Sequence, residues 1–525
     1  MRELEAGIER MGQIVRDQLT DSLAALTQHD TKAAEAVIER DDVVDSLNRS
    51  LEERCFDMFR DASGVIEERR IRSAMRVVSN LERIGDAACH IAKHCLMLDH
   101  EEEYALPVAF ESLTDVALKA VDEGVESFLR SDLDLAKKAC EREAELDGIY
   151  VQMIEDVARR IDAHQVTGHP LLHSLAVMKY LEKVTDFVLN IGETTVYAHT
   201  GSRLTYPQFR QLEMVMASDG APMNVFRHYW DGISGATVLE MGRGAENRRV
   251  LFKESYGQKV QDEFDKAIEW EGIAPEHTAK VIAVTHARGR TGILREFVEG
   301  SLFLDLLLSP SHPEIKETVM RDVAEVLSEV WTTTITPTPA RIDYTNQIRS
   351  RMREILRRHP RLEKVARDQL EGFGGIYDLL THLELRESWL APPFRIWIHG
   401  DLNANNIVVD QPSRSVVFID VHRSQYGDYL QDVAVLCASA LRRFPKGTIA
   451  KGISRANEVL LDVAEEFARK NGDKHFKVRL RLARARALIT SARLEPDPDR
   501  AEALFVDGLD SLKKVAKALK VGRSS

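Results

Sequence analysis

The sequence predicts a multidomain protein, with an all-α region of tandem three-helix bundles followed by an α+β domain that carries a helical C-terminal extension. Three observations lead there. Residues 1 to 200 are poor in Gly and Pro, rich in Ala, Leu, Glu and Arg, and keep apolar residues at helical spacing over long stretches. That region also repeats itself. AALTQHDTKAAEAVIERDDVVDSL (24–47) lies over ESFLRSDLDLAKKACEREAELDGI (126–149) at an offset of 102, and SNLERIGDAACHIAKH (79–94) over KYLEKVTDFVLNIGET (179–194) at an offset of 100. Beyond residue 222 the pattern changes to short β-branched or aromatic runs punctuated by glycine, and then becomes mainly helical again.

In order along the chain, the two bundles are expected at 1–104 and 105–200, with a break near Leu106–Pro107. Residues 201–222 hold Gly, Pro and Ser at both ends of a short apolar-periodic piece, the composition of a linker carrying one small helix. Strands are expected at 237–242, 248–254, 280–287 and 292–298, and in FRIWIHGD and NIVVDQPSRSVVFID, with a turn at Gln411–Ser413. RGRT (288–291) reads as a hairpin turn and the last 80 residues as helices.

With 525 residues and 44% hydrophobic content, each domain can bury its own core. The formal charge of −13 is unevenly spread, since residues 1–200 hold 40 acidic and 23 basic side chains, a net −17, against +4 for the remainder. Such a balance argues against nucleic acid as a partner and implies different partners for the two parts. Five scattered cysteines without a CxxC pair indicate neither a disulfide framework nor a thiolate zinc site. No stretch approaches the apolar length of a membrane span, so a cytoplasmic protein is expected.

Each repeat carries acids four residues apart, Asp41 with Asp45 and Glu82 with Asp86 in the first, Glu143 with Asp147 and Glu182 with Asp186 in the second. On one helix face such like charges repel by a few tenths of a kcal/mol, roughly 0.2–0.5. A divalent or trivalent cation bridging neighbouring helices would reverse that sign. The flanking Leu81, Ile84 and Ala88, like Leu181, Val184 and Val188, set these acids near the core edge. His90 and His94, also four apart, read as packing or surface residues. LERIGD and LEKVTD resemble the signature helices of the PhoU family, helical regulators of phosphate uptake, with Thr185 departing from the family glycine. The resemblance covers about 1–200. It implies two three-helix bundles, metal ligands at the eight acids, and phosphate-linked regulation with a phosphate transporter or histidine kinase as partner; a homodimer is compatible with it.

The densest chemistry lies at 396–434. Phosphoryl transfer needs an acceptor for the substrate hydroxyl proton and ligands holding Mg²⁺ against the nucleotide phosphates. Asp401, then Asn406 five residues later, then Asp420 at the end of a strand hairpin supply both. The stretch resembles the aminoglycoside phosphotransferase and choline kinase superfamily, with its bilobal protein-kinase-like fold; the N-lobe would be 223–300 and the C-lobe, with added helices, 301–525. The resemblance implies ATP and Mg²⁺ as cofactors, Asp401 as catalytic base, Asn406 and Asp420 as Mg²⁺ ligands and Lys253 on the phosphates. It further implies Gly232 and Gly235 in the phosphate loop, Glu263 (second choice Glu269) as partner of the lysine, and Glu296 to Val298 as the adenine-binding hinge. His399 would brace the loop, and Asp428 and Asp432 would be structural. Asn403, Ala404, Val421 and His422 depart from the family pattern.

The reading favoured is an ATP-dependent kinase of a small hydroxylated or amino-bearing molecule, coupled to a metal-binding regulatory module. The alternative is a nucleotide-binding adaptor without turnover. A protein kinase is disfavoured, since no DFG-type sequence surrounds Asp420 and no APE-type segment follows.

Overall fold

A computed structural model describes residues 1–97, 110–163, 168–216, 224–229, 237–243, 248–287, 289–309, 313–441 and 448–520. Internal contacts divide the chain into a unit of 1–230 with 239–248 and a unit of 231–238 with 249–525. The expected break near Leu106–Pro107 lies outside the described residues.

The first unit contains α1 (Arg2–Gln28), α2 (Thr31–Asp61), α3 (Val65–Met97), α4 (Phe110–Arg130), α5 (Leu133–Asp162), α6 (Gly168–Thr200) and α7 (Tyr206–Met216). The internal repeat is visible in the backbone. His29 and Ser131, 102 positions apart, both take left-handed φ values of 53° and 54° at the corner after a helix. The next residues, Asp30 and Asp132, cap α2 and α5 by accepting from the Ala33 N–H in one case and the Asp134 and Leu135 N–H groups in the other. Two-residue corners of this kind force each helix back along its predecessor. Helices α1, α2 and α3 then pack on one another, as do α4, α5 and α6, while α3 against α6 and α1 against α4 join the bundles into one core. Leu4, Ile8, Met11, Val15 and Leu19 form the buried stripe of α1, facing a core that includes Leu81, Ile84 and Ile91 of α3.

The helix expected inside a linker is present as α7, but it is docked rather than free. Leu204, Phe209, Leu212 and Val215 are buried. The Tyr206 hydroxyl donates to Glu141 and its N–H to Glu193, both at 2.7 Å, and Lys137 pairs with Glu213 at 2.6 Å. His90 and His94 sit where α3 meets α6. His90 stacks on Tyr180, and His94 Nδ1 lies 2.8 Å from His173 Nδ1.

The later elements are β1 (Asn224–Tyr229), β2 (Thr237–Arg243), β3 (Arg248–Tyr256), α8 (Lys259–Ile273), β4 (Val281–Ala287), β5 (Arg290–Glu296), β6 (Ser301–Leu302), α9 (Phe303–Leu308), α10 (Pro313–Thr334), α11 (Tyr344–Arg358), α12 (Arg361–Gln369), α13 (Ile376–Glu387), β7 (Ile396–Ile398), β8 (Ile407–Asp410), β9 (Ser415–Phe418), β10 (Gln425–Gly427), α14 (Leu430–Leu441), α15 (Thr448–Lys470), α16 (Phe476–Ala492) and α17 (Pro498–Ala518). In the second unit β5 runs antiparallel to both β3 and β4, with Lys253 opposite Ile293. Gly289, at φ 75°, turns the β4–β5 hairpin at the position expected for that turn. Further on, β8 pairs with β9 and β6, and β7 with β10. The two- and three-residue strands β6 and β10 carry too little pattern to be expected from sequence. Helices α9 to α17 enclose a second core around Trp331, Tyr344, Phe418, Tyr429 and Phe505. This is a kinase-like α+β domain with helices appended.

Candidate active site

Strand β3 alternates buried and outward residues, and the register that buries Phe252 turns Lys253 toward α8. Its ammonium donates to Glu263 Oε2 at 2.6 Å and to Asp420 Oδ1 at 2.8 Å, joining three chain segments 167 positions apart at the extremes. Burial alone would lower the Lys253 pKa, but the two carboxylates outweigh it and raise it. Glu263 is buried and is also held by Arg295 of β5, through Nη1 at 3.1 Å. Glu269, the second choice, instead pairs with Lys266 at 2.8 Å on the exposed side of α8.

Asp420 follows β9 with a left-handed φ of 59°, a conformation Asp tolerates better than most residues and one that here aims the carboxylate at Lys253. Burial would push its pKa up. The neighbouring His422, with Nδ1 at 3.2 Å, and Lys253 win, and hold it well below the usual carboxylate range. Asp401 and Asn406 share one loop, closed by the Asn406 Nδ2 donating to the Asp401 carbonyl at 2.9 Å. That bond commits the amide nitrogen and leaves Oδ1 as the atom able to ligate a cation.

Loop geometry is fixed from beneath by Asp432 of α14, whose carboxylate accepts from the His399 and Gly400 N–H groups at 2.6 and 2.9 Å. Burial raises Asp432 to about 7 despite these donors. His399 is also buried, which lowers its pKa. Its Nε2 lies 3.0 Å from the Ile419 carbonyl, a geometry that needs the neutral ring to carry its proton on Nε2. Gly400 is required as glycine, because its φ is 82° and an added Cβ would stand 2.2 Å from the Arg423 carbonyl oxygen. Trp270 of α8 reaches the same region, its Nε1 donating to Ser424 Oγ at 2.8 Å. Asp428 is engaged elsewhere, in a buried cluster with Arg479 and Tyr344.

The segment expected as the hinge begins at the last residue of β5. Glu296 N–H is already given to the Lys280 carbonyl and Phe297 N–H to Arg249, because β5 continues its pairing there. Of the named hinge residues, Val298 lies beyond that pairing. Gly232 and Gly235 lie outside the described residues. Sequence reasoning missed Arg295, which shares Glu263, and Arg423, whose Nη1 donates to Asp401 Oδ2 at 2.8 Å. Neither arginine belongs to a spacing motif, so only the folded chain reveals them.

In the first unit, the acids of α2 and α3 face one another. Asp86, Asp45 and Asp41 add to burial in raising Glu82, and Asp41 and Asp45 do the same for Asp86. In the second bundle Asp147 is raised by burial and by Glu182 and Asp186, yet lysines have entered the group. Lys179 lies 2.6 Å from Glu182 and Lys183 2.5 Å from Asp186. Thr185 is buried and donates to the Glu182 carbonyl. Among the described residues no three acidic, His or Cys side chains already converge as a metal-ligand set.

A family model described as the PhoU domain matches residues 8–95 and 110–195, and one described as the phosphotransferase enzyme family matches 240–468. PhoU domains are fused here to a phosphotransferase-family domain. Among relatives of the PhoU region, the phosphate-specific transport system accessory protein PhoU homolog of Clostridium acetobutylicum is 26% identical over 206 residues, 39% of this chain and 94% of that protein. The corresponding homolog of Caulobacter vibrioides is 28% identical over 207 residues, 39% of this chain and 90% of its own length. A crystal structure of PhoU from Pseudomonas aeruginosa is matched at 26% identity and a TM-score of 0.37, over 38% of this chain and 97% of that one. For the phosphotransferase domain, a thermostable mutant of aminoglycoside phosphotransferase APH(4)-Ia matches at 14% identity and a TM-score of 0.37, over 57% of this chain and 97% of that one. No helix among the described residues is long and apolar enough to cross a membrane.

Proposed function

We propose that the phosphotransferase domain transfers the γ-phosphoryl group of ATP to a small hydroxylated or amino-bearing acceptor. The observation that carries this is the pair of hydrogen bonds that Lys253 donates to Glu263 and Asp420, beside a loop presenting Asp401 and Asn406. In this reading Asp401 takes the proton from the attacking hydroxyl, Lys253 contacts the α and β phosphates, and the backbone near Val298 meets the adenine. Asn406 and Asp420 would hold Mg²⁺, which when bound neutralises charge on the nucleotide phosphates. Both residues fit that ion, one through a carboxylate kept ionised and the other through an amide oxygen left free by its own nitrogen's bond. Calorimetric titration of the full chain with Mg·ATP tests the nucleotide assignment. Binding is expected to weaken at least about tenfold in Lys253→Met, the loss of roughly one charge-assisted contact; equal affinity would remove Lys253 from the site.

The PhoU region links the chain to phosphate regulation, and we infer that it regulates the phosphotransferase, with a phosphate transporter or histidine kinase as its further partner. A hard cation at Asp41, Asp45, Glu82 and Asp86 fits better than at the second group, where lysines already neutralise two acids. Glu82 and Asp86 have raised pKa values, so their folded-state contribution is best at low pH and is lost as pH rises through those values into the neutral range. Replacing both, Glu82→Gln with Asp86→Asn, is therefore expected to stabilise the chelator-treated protein at neutral pH by about 0.2–0.5 kcal/mol per relieved pair. It should also abolish any rise in melting temperature on adding Mn²⁺ or Fe³⁺. A metal-dependent rise that survives the double substitution places the ion elsewhere.

A further inference from the structure

Beside Asp401 lies a cleft of about 670 Å³, floored by Gly400, Arg423, Gln431 and Arg486. Two guanidinium groups meet there. Arg423 is half-exposed and spends Nη1 on Asp401 Oδ2. Arg486, on α16, is half-buried and gives its Nε to Gln347 Oε1 at 2.6 Å. Its Nη1 and Nη2 have no acceptor among the described residues, although the side chain lines the cleft. Burial lowers its pKa; Tyr344, Asp401 and Asp432 oppose that while Arg423 adds to it. Among the described residues neither carboxylate is hydrogen-bonded to the Arg486 guanidinium, and a partly desolvated cation gains most from an anion bound to it directly.

The opposite wall, from α8, brings Asp262, Asp265 and Glu269. Glu269 is held by Lys266, and Asp265 accepts from Gln261 at 2.8 Å. Asp265 and Glu269 are exposed, so their pull on a cationic ligand is screened by solvent and by neighbours, whereas Asp262 is half-buried. The wall beside Asp401, lined by Arg423 and Arg486, is the positive one.

We propose that the acceptor carries an anionic group, a carboxylate or phosphate, which docks on Arg486 and draws Arg423 away from Asp401. The inference rests on the phosphotransferase reading above and names its substrate class. In the free enzyme the Arg423 ion pair covers the base. When the anion of the acceptor competes for Arg423, Asp401 Oδ2 is freed to accept the hydroxyl proton. The acceptor oxygen then forms its bond to the γ phosphorus as the bond to the β–γ bridging oxygen breaks, and ADP leaves with that oxygen. Arg423 and Arg486 are positioning and specificity residues here, and Asp401 keeps the proton step.

The test is a series of six-carbon polyols that differ only at the first carbon, namely gluconate, sorbitol and 1-amino-1-deoxysorbitol, each supplied with Mg·ATP to the full chain. Gluconate is expected to exceed sorbitol in kcat/KM by roughly 10- to 100-fold, the scale of a charge-assisted hydrogen bond, with the amine poorest. Arg486→Gln should collapse that advantage through KM for the acceptor, Arg486→Lys should restore most of it, and the Mg·ATP affinity of both variants reports that the domain is folded. Equal use of the three polyols, preference for the amine, or no use of any by a chain that binds Mg·ATP overturns the proposal while leaving nucleotide binding standing. Failure to bind Mg·ATP at all would instead overturn the reading beneath it.

Discussion

Replacing Asp401 with Asn is expected to lower phosphoryl transfer by roughly 10²- to 10⁴-fold, the usual worth of a positioned general base. The amide keeps the shape of the side chain but cannot accept the hydroxyl proton. Mg·ATP affinity should stay within a few-fold, since the contacts proposed for the nucleotide belong to Lys253, Asn406 and Asp420. Among these, Asn406 touches Asp401 only through its backbone carbonyl, which the substitution leaves intact. The check is a steady-state ADP-release assay with a saturating acceptor, run beside a binding titration. Undiminished turnover removes Asp401 from the proton step; lost binding with lost turnover would mean that the loop itself had collapsed.

The largest stability effect is expected at Arg479, far from any motif. Its Nε donates to Asp428 at 2.8 Å and its Nη1 to Asp473 and to the Leu390 carbonyl at 2.8 and 2.9 Å, with no exposed side-chain surface. Tyr344 and Tyr429 complete the cluster by donating to Asp428 and Asp473 at 2.8 and 2.7 Å. Arg479→Met keeps the volume but strands two buried carboxylates, for an expected loss of about 3–5 kcal/mol, the cost of breaking a buried ion pair from one side. Four of the five tryptophans, Trp270, Trp331, Trp389 and Trp397, lie in the second unit, so the denaturation midpoint followed by tryptophan fluorescence reports mainly the affected part of the chain. A shift below about 1 kcal/mol, the scale of an exposed pair, would show that the cluster is solvated.

Local pattern carried the helical bundles and the catalytic loop, because both are written in short-range spacing. The 102-residue offset in the sequence reappears as paired left-handed corners at His29 and Ser131. HGD followed by Asn406 and Asp420 announces its own loop and hairpin, since a strand, a tight turn and a second strand leave few other ways to place those side chains. Other features were not legible. Arg295, Arg423, Arg479 and Arg486 meet their partners across long sequence separations, and an arginine on an amphipathic helix looks the same whether it covers a solvated face or closes a base. The lysines among the second set of acids are different. Lys179 and Lys183 stand three residues before Glu182 and Asp186 on one helix, a spacing that sequence alone makes legible. The short piece at 206–216 read as linker because its composition is loop-like at both ends, whereas its apolar side chains find a bundle to pack on.

Phosphorus NMR of the full chain incubated with Mg·ATP and gluconate separates transfer to an acceptor from nucleotide binding or hydrolysis. A new phosphate-ester resonance is expected to grow in step with ADP and to be absent with Asp401→Asn. ATP left intact, ADP accompanied only by inorganic phosphate, or an ester signal undiminished in the Asp401 variant would overturn transfer through Asp401 to an anionic acceptor.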